Sequence, residues 1–246
     1  MKIDIKKYPY ARRKVLRSIL TSLINMAFAI LGDFEIIGKE NLPKKGPLLV
    51  VSNHFSFLDP LAVIKLLSWR LEFLGGTRTP NAPGTVEWLR HLWGIIPVFR
   101  GSVSRDTFIL SETVLVQDGI LGIFPEGGSW ASVLRPARPG VAFLAAKTGA
   151  EVLPIGLDGF DTFFPKIRKF KRPKVTATIG KPFGPFNIDV RSRTDREKLD
   201  EISHDIMTQI AKLLPPEKRG FYSDDPAIRD AAKGTEIYPW ETVPEV

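Results

Sequence analysis

The chain has 246 residues, of which 43% are hydrophobic and 25% are charged, a balance typical of a folded globular protein. It contains no cysteine, which excludes disulfide scaffolds, cysteine-based zinc sites and thiolate nucleophiles. Lys and Arg number 35 against 27 Asp and Glu, so the formal net charge is +8. Such a charge predicts an anionic partner: nucleic acid, an acidic membrane surface or a phosphorylated substrate.

The first 33 residues form a basic segment that continues into an apolar one. The large apolar side chains between residues 16 and 31 recur at helical spacing, which predicts an amphipathic helix. The run is short for a transmembrane span and is interrupted by Arg17 and Asn25, and no signal-peptide cleavage site follows it. We expect a helix that lies in the membrane interface with its basic end on anionic headgroups. A surface helix packed on its own domain is the alternative.

Apolar runs and amphipathic segments alternate through the rest of the chain. This rhythm predicts an α/β fold with a mostly parallel sheet flanked by helices. We assign residues 34–220 to one such domain and residues 221–246 to an acidic C-terminal tail that packs loosely or is disordered. Strands are predicted at 47–52, 72–74, 95–99, 120–124, 152–156 and 175–179, and helices at 61–69, 85–93, 104–117, 141–148 and 194–214.

A second basic stretch, residues 166–174, is interleaved with Phe163, Phe164 and Phe170. Basic and aromatic residues together are typical of nucleic-acid faces, but no DNA- or RNA-binding motif accompanies them, and we expect no nucleic-acid partner. A solvated loop, a second membrane contact and a contact with an acidic protein remain open.

His54 and Asp59 are the first candidate catalytic residues, because they follow the predicted strand 47–52. Ligands of open α/β sheets collect outside the carboxyl ends of the strands. An Asp five residues after a His can accept from one imidazole nitrogen and leave the other free to act as a general base. A histidine in a turn, hydrogen-bonded to a nearby capping Asp, is the structural alternative.

Two further strands end in candidate binding residues. Glu126, Gly127 and Gly128 follow the strand 120–124, and the glycines allow backbone amides to approach a phosphate or a hydroxyl group. Arg100 follows the strand 95–99 and carries a planar fork that matches a phosphate.

Four blocks in this order resemble the glycerolipid acyltransferase family, whose best-known members are 1-acyl-glycerol-3-phosphate (lysophosphatidate) acyltransferases. The resemblance spans residues 34–214. Residues 53–59 are similar to the family's H-x₄-D block, 97–101 to its second block, 124–127 to its third and 152–155 to its fourth.

The resemblance implies a glycerol-3-phosphate acyltransferase-like fold and an enzyme of phospholipid biosynthesis. His54 is implied as the general base that activates the free hydroxyl of lysophosphatidate, and Asp59 as the residue that orients it. Arg100, Glu126 and Gly127 are implied to bind the glycerol-phosphate moiety. The acyl donor is expected to be acyl-CoA or acyl-carrier protein, with no bound cofactor and no metal. Membrane lipids are expected partners, and the cytoplasmic face of the cell membrane is the expected location. The oligomeric state stays open.

The third block departs from the family's pattern at residues 128–130. The family usually has Thr-Arg-Ser there, and this chain has Gly128, Ser129 and Trp130, so one phosphate-binding arginine is missing. Arg135 and Arg138 are near enough in sequence to replace it, and Trp130 is a candidate contact for an acyl chain or another headgroup. There are therefore two alternative functions. The protein acylates another lysophospholipid or a glycolipid, or it is an inactive relative that only binds lipid.

Overall fold

A computed structural model of the chain describes residues 8–76, 87–98, 105–186 and 193–237. The helices are α1 (Lys14–Leu31), α2 (Asp59–Leu67), α3 (Glu87–Trp93), α4 (Arg105–Val116), α5 (Gly140–Thr148), α6 (Phe163–Ile167), α7 (Arg193–Ala211) and α8 (Pro226–Ala232). The strands are β1 (Asp33–Ile37), β2 (Leu48–Ser52), β3 (Leu71–Gly76), β4 (Ile96–Val98), β5 (Ile120–Ile123), β6 (Glu151–Asp158) and β7 (Lys174–Ile179).

Within the described residues, seven strands form one sheet in the order β1-β7-β6-β2-β5-β3-β4. All neighbouring strands are parallel except β6 and β7, which run antiparallel. The predicted α/β fold with a mostly parallel sheet is confirmed. Strand β2 lies in the middle of the sheet, and its five residues are all buried, which explains the unbroken apolar run from Leu48 to Val51.

The two faces of the sheet bury different helices. Leu49 and Val51 of β2 pack with residues of α4, α5 and α7. Leu48 and Val50 point to the other face and pack with α1, α2 and Trp93 of α3. Alternate residues of one strand thus support two cores, as the two-residue repeat of a strand requires.

Helix α1 is apolar on two sides. Leu20, Ile24 and Phe28 are buried against the domain, whereas large side chains on the rest of the helix face solvent. This outer face of α1 consists of Val15, Ile19, Leu23, Met26, Ile30 and Leu31, each between 43% and 74% exposed. By length and composition α1 could also cross a membrane, with a mean hydropathy of 1.5 over 18 residues.

The start of α1 is fixed by a buried ionic cluster. Glu72 of β3 is fully buried and accepts from the Arg17 guanidinium at 2.7 and 2.8 Å. Arg12 and the Tyr8 hydroxyl donate to the same carboxylate at 3.0 and 2.9 Å. Charges of opposite sign thus join the N-terminal segment to the sheet.

The beginning of the acidic C-terminal segment is structured in the described part of the chain. Asp225 caps α8 by accepting from the backbone N–H of Ala227 at 2.8 Å, and Pro226 suits the first turn. Leu134 accepts from the N–H of Phe221 at 3.2 Å and donates to the carbonyl of Lys218 at 3.0 Å. The beginning of this segment thus contacts the loop after β5 through Phe221.

Candidate active site

The site forms where β2 and β5 end side by side. The two strands are parallel, and Val51 of β2 is paired with Ile123 of β5. His54 and Glu126 each lie three residues beyond that pair. The parallel register therefore brings them to the same sheet edge, and the His54 backbone N–H donates to Glu126 Oε1 at 2.7 Å.

His54 is paired with Asp59 as the spacing predicts. The distance from His54 Nδ1 to Asp59 Oδ2 is 3.0 Å. The same oxygen accepts from the backbone N–H groups of Phe55 and Ser56, each at 2.7 Å, so the loop is folded around one carboxylate. Burial raises the pKa of Asp59, and the hydrogen bond and charge of His54 lower it. A carboxylate on Nδ1 favours the tautomer whose Nε2 is an acceptor.

A stack of aromatic rings supports the imidazole. The His54 ring lies on the Phe124 ring with centroids 4.2 Å apart, and Phe124 stacks in turn on Phe73 of β3 at 5.8 Å. Gly122 makes room for this stack, because a Cβ at that position would lie 2.7 Å from the Phe73 ring. The imidazole is thus held by a hydrogen bond at Nδ1 and by an aromatic ring at its face, while its side chain stays 17% exposed.

Glu126 joins the histidine loop to Arg135. Its Oε2 accepts from Arg135 Nε at 3.0 Å and from the Arg135 backbone N–H at 3.2 Å. Glu126 is only 1% exposed. Burial raises its pKa to about 7, although the Arg135 guanidinium and the N–H groups of His54 and Arg135 favour the ionised form. Glu126 is therefore a buried support of the site as well as a candidate binding residue.

Arg135 and Trp130 occupy the region where the family pattern is broken. The Arg135 guanidinium lies 3.6 Å from the centroid of the Trp130 ring, a cation–π contact, and it also donates to the Gly128 carbonyl. The Trp130 indole N–H donates to the backbone carbonyl of Thr235 at 2.7 Å. Trp130 thus ties the loop after β5 to the C-terminal segment.

A cavity of about 180 Å³ adjoins this cluster. Arg138 lines it, and its guanidinium donates to the carbonyl of Glu236 at 3.5 Å. The cavity is lined by two arginines, two glutamates and an aromatic ring, and one of the arginines, Arg135, is already paired with Glu126. Its full lining is Glu126, Trp130, Arg135, Pro136, Ala137, Arg138 and Glu236.

Of the remaining predicted site residues, the structure describes the two glycines but not Arg100. Gly127 has a φ of 80°, in the left-handed region that glycine tolerates, and turns the chain after Glu126. Gly128 is buried beside Arg135. Arg100 lies outside the described residues. Within the described ranges, no group of His, Asp and Glu side chains is arranged to hold a metal ion.

Two supporting residues are absent from the sequence-based prediction of the site. Asn53 is fully buried, and its amide accepts from the N–H of Leu157 and donates to the carbonyl of Leu157 in β6, at 2.7 and 2.9 Å. It therefore fixes the start of the histidine loop to the neighbouring strand. Phe124 is the second, because its contact with His54 depends on the pairing of β2 with β5. A polar residue directly after a buried strand was the available signal for Asn53.

Comparison with known proteins identifies the family. Residues 33–158 match the protein-family model described as Acyltransferase. The match covers β1 to β6, and includes both His54 and Glu126.

Individual relatives carry a more specific name. A chloroplastic 1-acyl-sn-glycerol-3-phosphate acyltransferase of Brassica napus is 31% identical over 173 residues, which is 68% of this chain but 50% of that protein. A 1-acyl-sn-glycerol-3-phosphate acyltransferase of Borreliella burgdorferi is 29% identical over 182 residues, 73% of this chain and 70% of that protein.

A solved structure has the same fold. It is the crystal structure of the 1-acyl-sn-glycerophosphate (LPA) acyltransferase PlsC from Thermotoga maritima, with a TM-score of 0.56 and 26% sequence identity. The superposition covers 84% of this chain and 82% of the Thermotoga chain. With a family model matched over half of its length, the chain belongs to the acyltransferase family.

Proposed function

We propose that this protein transfers a fatty acyl group from an acyl thioester to the free hydroxyl of 1-acyl-glycerol-3-phosphate and so forms phosphatidic acid. The observation that carries the proposal is the pairing of His54 Nδ1 with the buried Asp59 carboxylate at 3.0 Å. The names of the relatives support lysophosphatidate as the acceptor.

The proposed chemistry is general base catalysis. His54 Nε2 takes the proton of the acceptor hydroxyl while that oxygen attacks the thioester carbonyl carbon. The C–S bond then breaks, and the thiol leaves with a proton returned by the imidazolium. Asp59 orients the ring and stabilises its positive charge during the attack. A positioned base of this kind contributes about 10²–10⁴-fold to the rate.

The acceptor headgroup is proposed to bind beside Glu126. Arg135 and Arg138 line the cavity there, and we infer that they take over the role of the arginine that the third block lacks. Gly127 and Gly128 allow the backbone to approach the glycerol-phosphate moiety, and Arg100 is proposed to contact the phosphate. Because Trp130 covers Arg135, another lysophospholipid or a glycolipid acceptor is the alternative, and the experiment below tests the lysophospholipids.

The proposed substrates are lipids, so the protein must reach a membrane. The outer face of α1 supports such a membrane contact. Six large apolar side chains on this face are between 43% and 74% exposed. The helix packs on its own domain along the opposite side, so we infer that it lies in the membrane interface rather than crossing the bilayer. The cytoplasmic face is proposed, since acyl-CoA and acyl-carrier protein, the two candidate donors, are soluble there.

The test is acyl transfer by the wild type and by His54→Ala, with lysophosphatidate, other lysophospholipids and glycerol-3-phosphate offered in turn with each donor. We expect transfer to lysophosphatidate, reduced at least about 100-fold in the variant. The control is His204→Ala, because His204 is exposed on α7 and should leave the rate unchanged.

Other outcomes change the proposal in defined ways. Transfer only to another acceptor would keep the chemistry and replace the substrate. Thioester loss without an acceptor would indicate a hydrolase. Lipid binding that is equal in both proteins, without any transfer, would leave an inactive lipid-binding relative.

A further inference from the structure

Phe170 stands at the tip of the loop between α6 and β7 and is fully exposed. Its φ is 52°, in the left-handed region that a bulky side chain seldom adopts. This turn closes α6, because the backbone N–H groups of Phe170 and Lys171 donate to the carbonyls of Ile167 and Lys166, each at 2.9 Å. The ring itself lies in water with no described residue covering it. A large aromatic ring left fully exposed points to a contact outside the folded chain.

The loop is also strongly basic. Arg168, Lys169 and Lys171 surround Phe170 and are exposed, and within the described part of the chain they form no ion pair. Lys166 lies at the base of the loop, half-buried. An apolar tip within a ring of uncompensated positive charge matches an anionic bilayer, in which headgroups meet the charges and the acyl region receives the ring.

The loop is continuous with the C-terminal end of α1. The Arg172 guanidinium donates to the backbone carbonyls of Ala29, at 2.8 Å, and of Gly32. At the base of the loop, the buried Phe163 packs edge-on against Phe28 of α1, with centroids 6.3 Å apart. The loop is thus fixed to the helix turn that carries the exposed Ile30.

Helix α6, which leads into the loop, contacts the catalytic segment. Phe164 stacks on Phe57 with ring centroids 5.5 Å apart, and Phe57 lies between His54 and Asp59. A membrane contact at this loop would therefore act next to the residues that are proposed to receive a membrane lipid.

We propose that Phe170 and its basic neighbours form a second membrane contact, which inserts into an anionic bilayer beside α1. A single interfacial helix leaves the protein free to roll about the helix axis. A second contact away from that axis removes this freedom and fixes the direction in which the His54 loop faces the lipid. The inference rests on the membrane docking of α1 proposed above.

An acidic carrier protein is the other partner that a basic loop suits. Such a protein would account for the charges of Lys169 and Lys171 but not for a fully exposed phenylalanine at the tip. The bilayer accounts for both features, and the carrier protein is kept as an outcome of the test.

The absence of cysteine from the chain allows a direct test. Phe170→Cys is labelled with an environment-sensitive fluorophore such as nitrobenzoxadiazole and mixed with vesicles of phosphatidylcholine, with or without phosphatidylglycerol. Ile30→Cys reports on α1 in the same way. Val116→Cys is the matched control, because Val116 is 75% exposed at the end of α4, on the opposite face of the sheet.

With phosphatidylglycerol vesicles we expect a blue shift, and quenching by spin-labelled lipid, for labels at positions 170 and 30. The label at position 116 should show neither response. A response at position 30 alone would overturn the second contact and leave the docking of α1 intact. A response at neither would overturn both. A response at position 170 to purified acyl-carrier protein, but not to vesicles, would overturn the bilayer in favour of the carrier protein.

A second pair of variants tests the charges. Lys169→Gln with Lys171→Gln should weaken binding to phosphatidylglycerol vesicles about 30-fold at low salt. The control is Lys198→Gln with Lys212→Gln, an equal change of charge at exposed positions on or next to α7. Equal losses in the two double variants would show that only net charge matters and would overturn a specific role of the loop.

Discussion

Glu126 connects three parts of the site through one buried carboxyl group. It holds the His54 backbone, the Arg135 side chain and the turn at Gly127 in fixed relation. Its pKa of about 7 lies well above the ordinary value of 4.5 because burial penalises the charge. A residue of this kind makes the stability of the site depend on pH.

Between about pH 4.5 and pH 7 the folded protein should bind more protons at Glu126 than the unfolded chain does. The contribution of Glu126 to the free energy of unfolding therefore falls by about 3 kcal/mol as the pH rises through this window, and becomes flat above it. Urea denaturation at pH 5 and pH 8 measures the difference for the wild type and for Glu126→Gln.

The expected result is that Glu126→Gln loses this part of the pH dependence. Glu201→Gln, an exposed change on α7, should keep the wild-type behaviour. An unchanged difference between pH 5 and pH 8 in Glu126→Gln would show that other groups cause it.

At the scale of the elements, the buried cluster around Glu72 determines how α1 is attached. Arg17 and Glu72 have no exposed side-chain surface, and their two hydrogen bonds join the first turn of α1 to β3. A desolvated pair of this kind contributes little by itself, but removal of one partner leaves a buried charge.

We therefore expect Glu72→Gln to reduce the free energy of unfolding by about 3–5 kcal/mol. The joint change Arg17→Met with Glu72→Leu should recover part of that loss, because the fully buried pair is removed and apolar volume replaces it, while Arg12 is 20% exposed and can turn to water. Denaturant titration with circular dichroism measures both variants.

The control is Asp230→Asn at an exposed ion pair with Lys233, where no measurable change is expected. A double variant as unstable as Glu72→Gln would indicate that the cluster acts through its hydrogen-bond geometry and not through an uncompensated charge.

At the scale of the whole molecule, the two faces of α1 serve different purposes: the inner face contributes to the folded core, and the outer face is proposed to dock on the membrane. Deleting the helix would be a poor test of docking, since its inner face completes one of the two cores and Arg17 neutralises Glu72. Four changes on the outer face, Ile19→Gln, Leu23→Gln, Met26→Gln and Ile30→Gln, leave those contacts in place.

Each outer side chain should contribute roughly 1 kcal/mol or more to partitioning into a bilayer. We expect the fourfold variant to lower the partition coefficient for anionic vesicles at least about 100-fold in a flotation assay. Val116→Gln is the control. Full flotation of the fourfold variant would contradict docking through this face.

The sequence allowed much of this architecture to be predicted because buried parallel strands are continuous apolar runs. β2, β5 and β6 are of that kind, and the positions of His54 and Glu126 follow from them. β1 was missed, since this edge strand alternates exposed and half-buried residues over only five positions. The antiparallel pairing of β6 and β7 depends on long-range contacts that local sequence does not carry.

Those contacts of the site that lie within one loop could be predicted from the sequence, and those between distant segments could not. Asp59 meets His54 within one loop, so its spacing is informative. Arg135 reaches Glu126 only through the turn at Gly127, and spacing alone could suggest that the arginine was near but not that it is buried. The hydrogen bond from Trp130 to Thr235 joins residues that are 105 positions apart in the sequence, and no local sequence pattern predicts it.

The two faces of α1 are subject to different kinds of selection. Leu20, Ile24 and Phe28 fit a solid interior, so exchange there is limited by shape and volume, and one methylene matters. Ile19 and Leu23 on the outer face are inferred to meet a fluid that adapts to any side chain, so only their average polarity is constrained. Within one helix, adjacent positions should therefore drift at different rates over evolutionary time, the outer residues exchanging freely among apolar types while the inner ones stay nearly fixed.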